Sequence, residues 1–314
     1  MTENIITADT VGVKEETALP SRRKKRRKPI TVGKIVCIIL LAAWTLFLVL
    51  PLYVVIVTSF TSSQQLADAT SFTWFPKPPT VEGFTKVFAN DVYMEVNGIP
   101  SIILGFINTM WMTLIPLCVG LLTSALAAYS FSKIRFKGKE KLFMVEIALM
   151  VCPLGAFGIV SYAYYALLGW TGTVLPVIIP GMFGSFGTIF FLRAFMDGLP
   201  DAMVESAKID GCGFFGIFFK IIFPLSKPAL IAQFIFGFIG GYNSYLTPLL
   251  YLDGQENMIT LSLVLANVYN IFEGVGYENI YCATAIIGML PLIVVYCFLQ
   301  KFFIEGIAVG SVKG

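Results

Sequence analysis

The sequence predicts an all-α membrane protein with six membrane-spanning helices. Three observations predict it. The 314 residues are 57% hydrophobic and only 13% charged, where a soluble domain carries about 25% charged residues. Uncharged blocks recur along the chain, and several reach the roughly 20 residues that a helix needs to cross a bilayer core about 30 Å thick. The basic residues gather in alternate connections between those blocks, as in a chain that crosses the membrane repeatedly.

Residues 1–34 are expected to form a basic tail. The first twenty are polar and without periodicity, which reads as disorder. Then comes RRKKRRK, Arg22 to Lys28. Such a run resembles a nuclear-localisation or nucleic-acid patch, or the start of a signal peptide. The block that follows argues otherwise, because Ile35 to Ala67 carries no charge and further apolar blocks come after it. The run therefore reads as an anchor on anionic lipid, where each Lys or Arg contributes about 1 kcal/mol. No nucleic-acid partner is implied.

The first span is expected at Ile35–Thr58, within a segment 35–60, and an extracytoplasmic loop at 61–101 follows. That loop holds SFTWFPKPPTVEGFTKVF, stiffened by Pro76, Pro78 and Pro79, and is long enough to pack against an external partner. The remaining five spans fall within 102–303. The second is Ile102–Tyr129. The uncharged block Ile147–Leu192 is too long for one helix. Gly169, Gly172 and Pro176 divide it into a third span, Leu142–Leu168, and a fourth, Val174–Leu192. The fifth is Pro228–Tyr251 and the sixth Ile280–Phe302. Residues 304–314 form a second tail. There is no convincing internal repeat.

Orientation follows from the basic residues. Nine Lys and Arg precede the first span, five lie in SKIRFKGKEK, and Arg193, Lys208, Lys220 and Lys227 lie between spans four and five. On the other side, residues 59–101 hold only Lys77 and Lys86, and the 252–279 loop has four acids and no base. The expectation is a multi-pass protein of a bacterial-type plasma membrane with both termini and the 199–213 segment cytoplasmic.

Composition also excludes chemistry. There is no His, which removes histidine triads, histidine-ligated zinc and imidazole acid–base catalysis. The six Cys form no C-x-x-C pair and read as reduced thiols, five of them in or beside apolar runs. No phosphate loop of the form G-x-x-x-x-G-K-[ST] occurs. Neither a metal nor a cofactor is expected.

The segment VESAKIDGCGFFGIFFKIIFPLSKP sets charge and glycine between two apolar blocks. Pro200 suits a first helical turn, where its missing N–H costs nothing. Asp201 and Glu205 sit near the N-terminus, which the helix dipole favours for acids. Met203, Val204 and Ala207 make a small apolar face, and Gly211 is a left-handed stop. A helix of about three turns is expected in 199–213, with Ala202, Ser206 and Ala207 small enough for close approach of another surface. Pro224 and Pro228 then force a bend before span five. Taken alone, these residues fit an ordinary interfacial helix as well as a docking helix.

The spacing resembles the signature loop of ABC importer permeases: Glu-Ala-Ala, three residues, Gly, nine residues, Ile-x-Leu-Pro. Here it reads Glu205-Ser206-Ala207, Gly211, then Ile221-Ile222-Phe223-Pro224. Ser206 replaces the central Ala and Phe223 the Leu. The run Ala207-Lys208-Ile209-Asp210-Gly211 resembles the form found in sugar-type members. INTMWMT, with Asn108 and Thr109, resembles the opening of the family's second span, and LAAYSFSKIRFKGK its close. GGYNSYLTPLLYL resembles the Trp-Asn-x-x-x-x-Pro stretch of span five, with Tyr242 in place of Trp, then Asn243 and Pro248. LQKFFIEGIAVGSVKG resembles the tail of the smaller of two paired permeases in maltose-type carbohydrate importers.

The resemblance implies a type I ABC importer permease architecture and a carbohydrate, an oligosaccharide or sugar derivative, as solute. It implies three partners: a second permease in a heterodimer, a cytoplasmic ABC ATPase dimer and an extracytoplasmic solute-binding protein. It also implies that the 199–213 helix docks on the ATPase. Glu205 would pair with a basic residue there, Ser206, Ala207, Asp210 and Gly211 would shape the contact, and Pro224 would close the motif. The alternatives are a permease for a non-sugar solute and, more distantly, a six-span channel or ion-coupled carrier.

Other polar residues have competing readings. Glu146 lies inside the third span, where an acid costs about 2.5–3.5 kcal/mol on insertion scales. It follows Lys141 closely enough to reach back to the interface, so it reads as structural or as a gating group. Asn108, Tyr242 and Asn243 are polar groups within spans, either bonding helices together or lining the solute path. SYAYYALLGW, Ser161 to Trp170, reads as an interfacial aromatic belt or a sugar-stacking surface. EGVGYENI, Glu273 to Ile280, contains Val275-Gly276-Tyr277 of a potassium filter. Gly274 stands where Thr is needed, and Glu278 where Gly is needed.

Overall fold

A computed structural model describes residues 32–89, 98–152, 158–252, 254–271 and 276–311. The expected tail up to Thr31 lies outside them. The described residues are mostly helical, with no strand among them. They fall into two units, residues 1–50 and 51–314.

In the first unit, residues 32–50 form the start of helix α1, Val32–Ser59. The consecutive Ile38, Ile39, Leu40 and Leu41, about 100° apart and all exposed, put apolar side chains on every side of it, the mark of a helix whose solvent is lipid. Thr45 Oγ1 returns its proton to the Leu41 carbonyl at 2.7 Å, so its one polar group is not left bare in hydrocarbon.

In the second unit, α4 (Ser101–Lys133) is the axis. Its 33 residues span about 50 Å at 1.5 Å each, long enough to cross a bilayer. Near its start it packs on α14 (Leu261–Ile271), and α14 packs in turn on α15 (Glu278–Ser311), which also carries α2 (Ser63–Ala67) and α3 (Glu82–Phe88). Ile102 is buried there with Val87, Phe238, Leu261, Val268 and Ile280. Asn279, fully buried, donates from Nδ2 to Thr61 O at 3.0 Å and ties α15 to the end of α1.

At its other end α4 meets α8 (Phe186–Asp197) and α9 (Asp201–Ile209). It also meets a bent segment of α10 (Phe214–Ile217), a π-helical turn at Phe218–Ile222 and α11 (Phe223–Leu225). Tyr129 is buried with Leu192, Met196, Val204, Ile217 and Phe218. Its ring lies 4.9 Å from that of Phe214 and 5.5 Å from that of Phe218, centroid to centroid. Between the two ends, α7 (Leu175–Met182) and α12 (Lys227–Tyr242) flank α4, and α13 (Leu246–Tyr251) follows α12. Small residues permit this. A side chain on Gly105 would strike Val264 and Leu261, and one on Gly120 the Gly181 carbonyl.

Among the described residues, four helices are long and apolar enough to cross a membrane, and a fifth span is made if the bent pair Phe214–Leu225 and Lys227–Tyr242 counts as one. The four fall on the expected first, second, fourth and sixth spans, and the bent pair overlaps the expected fifth, Pro228–Tyr251, only along Lys227–Tyr242. The fourth is α7 and α8 joined through Gly184 at φ +86°. The fifth runs along α12, stops at Asn243 and resumes in α13. The expected third span, Leu142–Leu168, falls on α5 (Lys139–Val151) and α6 (Gly158–Leu167), neither of which is long enough to cross a membrane by itself, and residues 153–157 lie outside the described residues. The bend before span five is there, at 76°.

Candidate functional site

A cavity of about 490 Å³ opens along one face of α4. That face is Thr109, Met112, Thr113, Pro116, Gly120 and Ser124, residues three or four apart that one side of a helix presents together. The opposite wall comes from Gly181, Gly184, Ser185 and Thr188 of α7 and α8. Gln233 and Gly237 of α12 and the Ser244–Pro248 turn complete it. The wall carries eight hydroxyl side chains and one amide, and no Asp, Glu, Lys or Arg.

The polar groups form a ladder across three helices. Ser185 N donates to Ser124 Oγ at 3.3 Å, and Ser185 Oγ donates to Thr188 Oγ1 at 2.9 Å. Thr188 Oγ1 donates to Gln233 Oε1 at 3.2 Å. The Gln233 Nε2 donors have no partner among the described residues. This arrangement can hold a hydroxylated molecule by exchangeable hydrogen bonds, and it offers no counter-charge to an ion.

The three polar residues that the sequence put forward for a solute path are placed elsewhere. Asn108 is buried, and its Nδ2 donates to Asn257 O and Ile259 O, both at 2.9 Å. It also accepts from Trp111 Nε1 at 3.1 Å. Tyr242 is buried and donates from its hydroxyl to Gly288 O at 2.8 Å. Asn243 is exposed and donates back to Ile239 O at 2.9 Å, closing α12. All three fix helix ends and crossings, and none lines the cavity. Sequence reading missed Thr113, Ser185, Thr188 and Gln233. The one local signal was the small-and-hydroxyl stripe at 109, 113, 120 and 124.

The second feature is α9. Pro200 stands at its cap rather than inside its first turn, and Asp210 closes it. Gly211 takes φ +80°, a left-handed conformation that L side chains adopt rarely. Cys212 N donates to Ala207 O at 2.9 Å, completing the stop. The helix is amphipathic. Val204 and Ala207 are 3% and 5% exposed within the buried cluster around Tyr129. Glu205, Ser206, Asp210 and Gly211 face solvent. Ala207 thus packs on its own chain and adds nothing to the outer surface. Met203 and Ile209 are exposed instead, Ile209 by 86%. Pro224 stands in α11, just before the bend into α12.

Lys133, the last residue of α4, holds α9 in place. Its side chain is 3% exposed, and Nζ donates at 2.6 Å both to Leu199 O and to Asp201 Oδ1. The Lys133 ammonium bonded to Asp201 holds that carboxyl below the ordinary carboxylate range. Beside it, Arg193 Nη2 donates to both oxygens of Glu140 at 3.1 Å, and its guanidinium lies 3.7 Å over the Phe143 ring. Glu146 is 7% exposed, turned into the chain rather than out to the interface. Neither of its oxygens has a partner among the described residues.

Residues 23–309 match the family model of the inner membrane component of binding-protein-dependent transport systems. The chain belongs to that family. It is the membrane subunit of an ABC importer, a permease, and a transport subunit rather than an enzyme. Permeases of this family work in pairs with an ATPase and a binding protein. This permease is 29% identical over 268 residues to an arabinooligosaccharide transport permease of Halalkalibacterium halodurans, covering 85% of this chain and 91% of the relative. It is 30% identical to the arabinooligosaccharide permease of Bacillus subtilis, covering 76% of this chain and 81% of the relative. A galactooligosaccharide permease of Bacillus subtilis is 29% identical, with 88% and 94% covered. A solved bacterial ABC transporter that imports the acidic polysaccharide alginate shares the fold. Its TM-score is 0.73 at 21% identity, over 87% of this chain and 96% of the other. The Gly276–Tyr277 turn is no filter: Glu278 Oε2 accepts from Gly276 N at 2.8 Å and starts α15.

Proposed function

We propose that this permease imports a neutral carbohydrate, an oligosaccharide or sugar derivative, as one half of a heterodimer in a bacterial plasma membrane. Both termini and α9 lie in the cytoplasm, where α9 docks on the ATPase. A loaded binding protein meets the opposite face, formed by α2, α3 and α14. ATP-driven closure of the ATPase pushes α9, and the spans alternate between inward-open and outward-open.

The observation that carries the solute assignment is the cavity wall, with hydroxyls and an amide but no charge. Sugars present many hydroxyls and little else, and a wall of exchangeable donors and acceptors suits them. Relatives named for arabino- and galactooligosaccharides support the same class. Docking through α9 rests on its exposed Glu205, Ser206, Asp210 and Gly211 at the spacing of the family loop. Orientation rests on Lys133, Arg135, Lys137, Lys139 and Lys141 at the α9 end of α4.

Affinity purification on a tag at this chain tests the reading. An ATPase, a second and different permease and a binding protein that retains a neutral sugar are expected. Isolation of the intact complex without an ATPase, or with a binding protein retaining a peptide or an ion, overturns it.

A further inference from the structure

We infer that Lys133 is the strut through which movement of α9 reaches the cavity, making it a positioning residue for transport. The inference rests on the docking of α9 proposed above. Three observations carry it. Lys133 Nζ grips α9 at two points, the Leu199 carbonyl that precedes it and the Asp201 carboxylate in its first turn. The grip is shielded, since the lysine side chain is 3% exposed although Asp201 is 73% exposed. The same helix that ends in Lys133 lines the cavity from Thr109 to Ser124.

The mechanical argument follows from the geometry. From Ser124 to Lys133 is about 13 Å of unbroken helix. One turn before Lys133, Tyr129 wedges its buried ring against Phe214 and Phe218 on the far side of α9 in sequence. The end of α4 is therefore held by one residue to the front of α9 and by another to the segment behind it. A displacement of α9 cannot leave α4 where it was without breaking one of these contacts. Above Ser124, Pro116 lies in the cavity wall and removes one backbone hydrogen bond from α4, so the lower part of the helix can swing about that point. Arg193 reinforces α8 in parallel, through Glu140 and Asp197, but does not touch α9.

The test uses the whole transporter in liposomes, with Thr188→Cys as a reporter in the cavity and a trimethylammonium-ethyl thiosulfonate as the probe. Labelling rates with and without ATP are compared, and the same chain without the reporter is subtracted. Lys133→Met and Asp201→Asn are expected to keep hydrolysing ATP while the ATP-dependent change in labelling falls about tenfold. Lys133→Arg, which retains the charge and the donors, is expected to restore it. Asp201 is exposed, so its variant folds even if Lys133→Met does not. Labelling that still follows ATP in Asp201→Asn or Lys133→Met, or a failure of Lys133→Arg to rescue, overturns the strut. Glu205→Lys separates the two readings: if labelling follows ATP there as well, the docking of α9 itself is wrong.

Discussion

Gly120 of α4 lies against the backbone carbonyl of Gly181 in α7, with no room between them for a methyl group. One turn on, Gly184 sits over Ser124 in the same manner. In lipid, helices gain little from hiding apolar surface, so close backbone approach and dispersion hold them together. The Gly120–Gly181 contact sets how near the two walls of the cavity stand.

Gly120→Ala is therefore expected to destabilise the permease by about 1–3 kcal/mol, the usual cost of overpacking. Gly240→Ala, where a side chain would meet nothing, is expected to be neutral or stabilising by up to about 1 kcal/mol. Thermal melting of the detergent-solubilised chain, followed by size-exclusion fluorescence, compares them. Equal melting temperatures for both variants would refute the close-contact account.

Tyr242→Phe removes one buried hydrogen bond, to Gly288 O. The expected loss is about 0.5–1.5 kcal/mol of stability, with the choice of solute unchanged. A shift in which sugar is carried would return Tyr242 to the solute path.

Gln233→Ala is expected to act in the opposite way. The complex assembles in normal amount, while the maximum rate of uptake falls about tenfold, the worth of ~1.4 kcal/mol. Uptake of the retained sugar into membrane vesicles is the measurement, and an unaltered rate would remove Gln233 from the path.

Gly211→Trp meets open space but a backbone angle that a side chain resists. Normal membrane insertion with loss of transport-coupled ATP hydrolysis is expected. Unchanged uptake would count against α9 as the docking element.

Acid dependence is expected at α3. Glu82 Oε1 accepts from Lys86 Nζ at 2.6 Å and Oε2 from Ser63 N at 3.0 Å. The hydrogen bond from Lys86, then that from Ser63 N, lowers its carboxyl below the ordinary value of 4.5. A lowered folded-state value means the stabilisation is complete above pH 4.5 and is lost as pH falls through the lower value. Proteolysis of the 61–89 segment should therefore accelerate below pH 4.5 in the native protein. Glu82→Gln should remove that acceleration, and a pH profile identical to the native one would contradict the assignment.

The spans and α9 were legible in the amino-acid sequence because their signals are local. Lipid demands about twenty apolar residues in succession, and the Asp201-to-Gly211 pattern of acids, small residues and stop lies within one short helix. The same local logic left Asn108, Tyr242 and Asn243 open between two readings. A polar residue in a span looks alike whether it bonds a neighbouring helix or faces a cavity, and only its partners tell the two apart.

By itself, then, the chain's sequence determined where its long apolar helices lie, where the charged helix sits and that its stop is a glycine. Only the tertiary structure decided which face of α4 borders the cavity. It brought Ser185 to Ser124 across 61 positions and Thr188 to Gln233 across 45, and it seated Lys133 on Asp201. Periodicity reports one helix at a time. A wall assembled from α4, α7, α8 and α12 depends on how closely their backbones approach, and that was set by contacts such as Gly120 on Gly181.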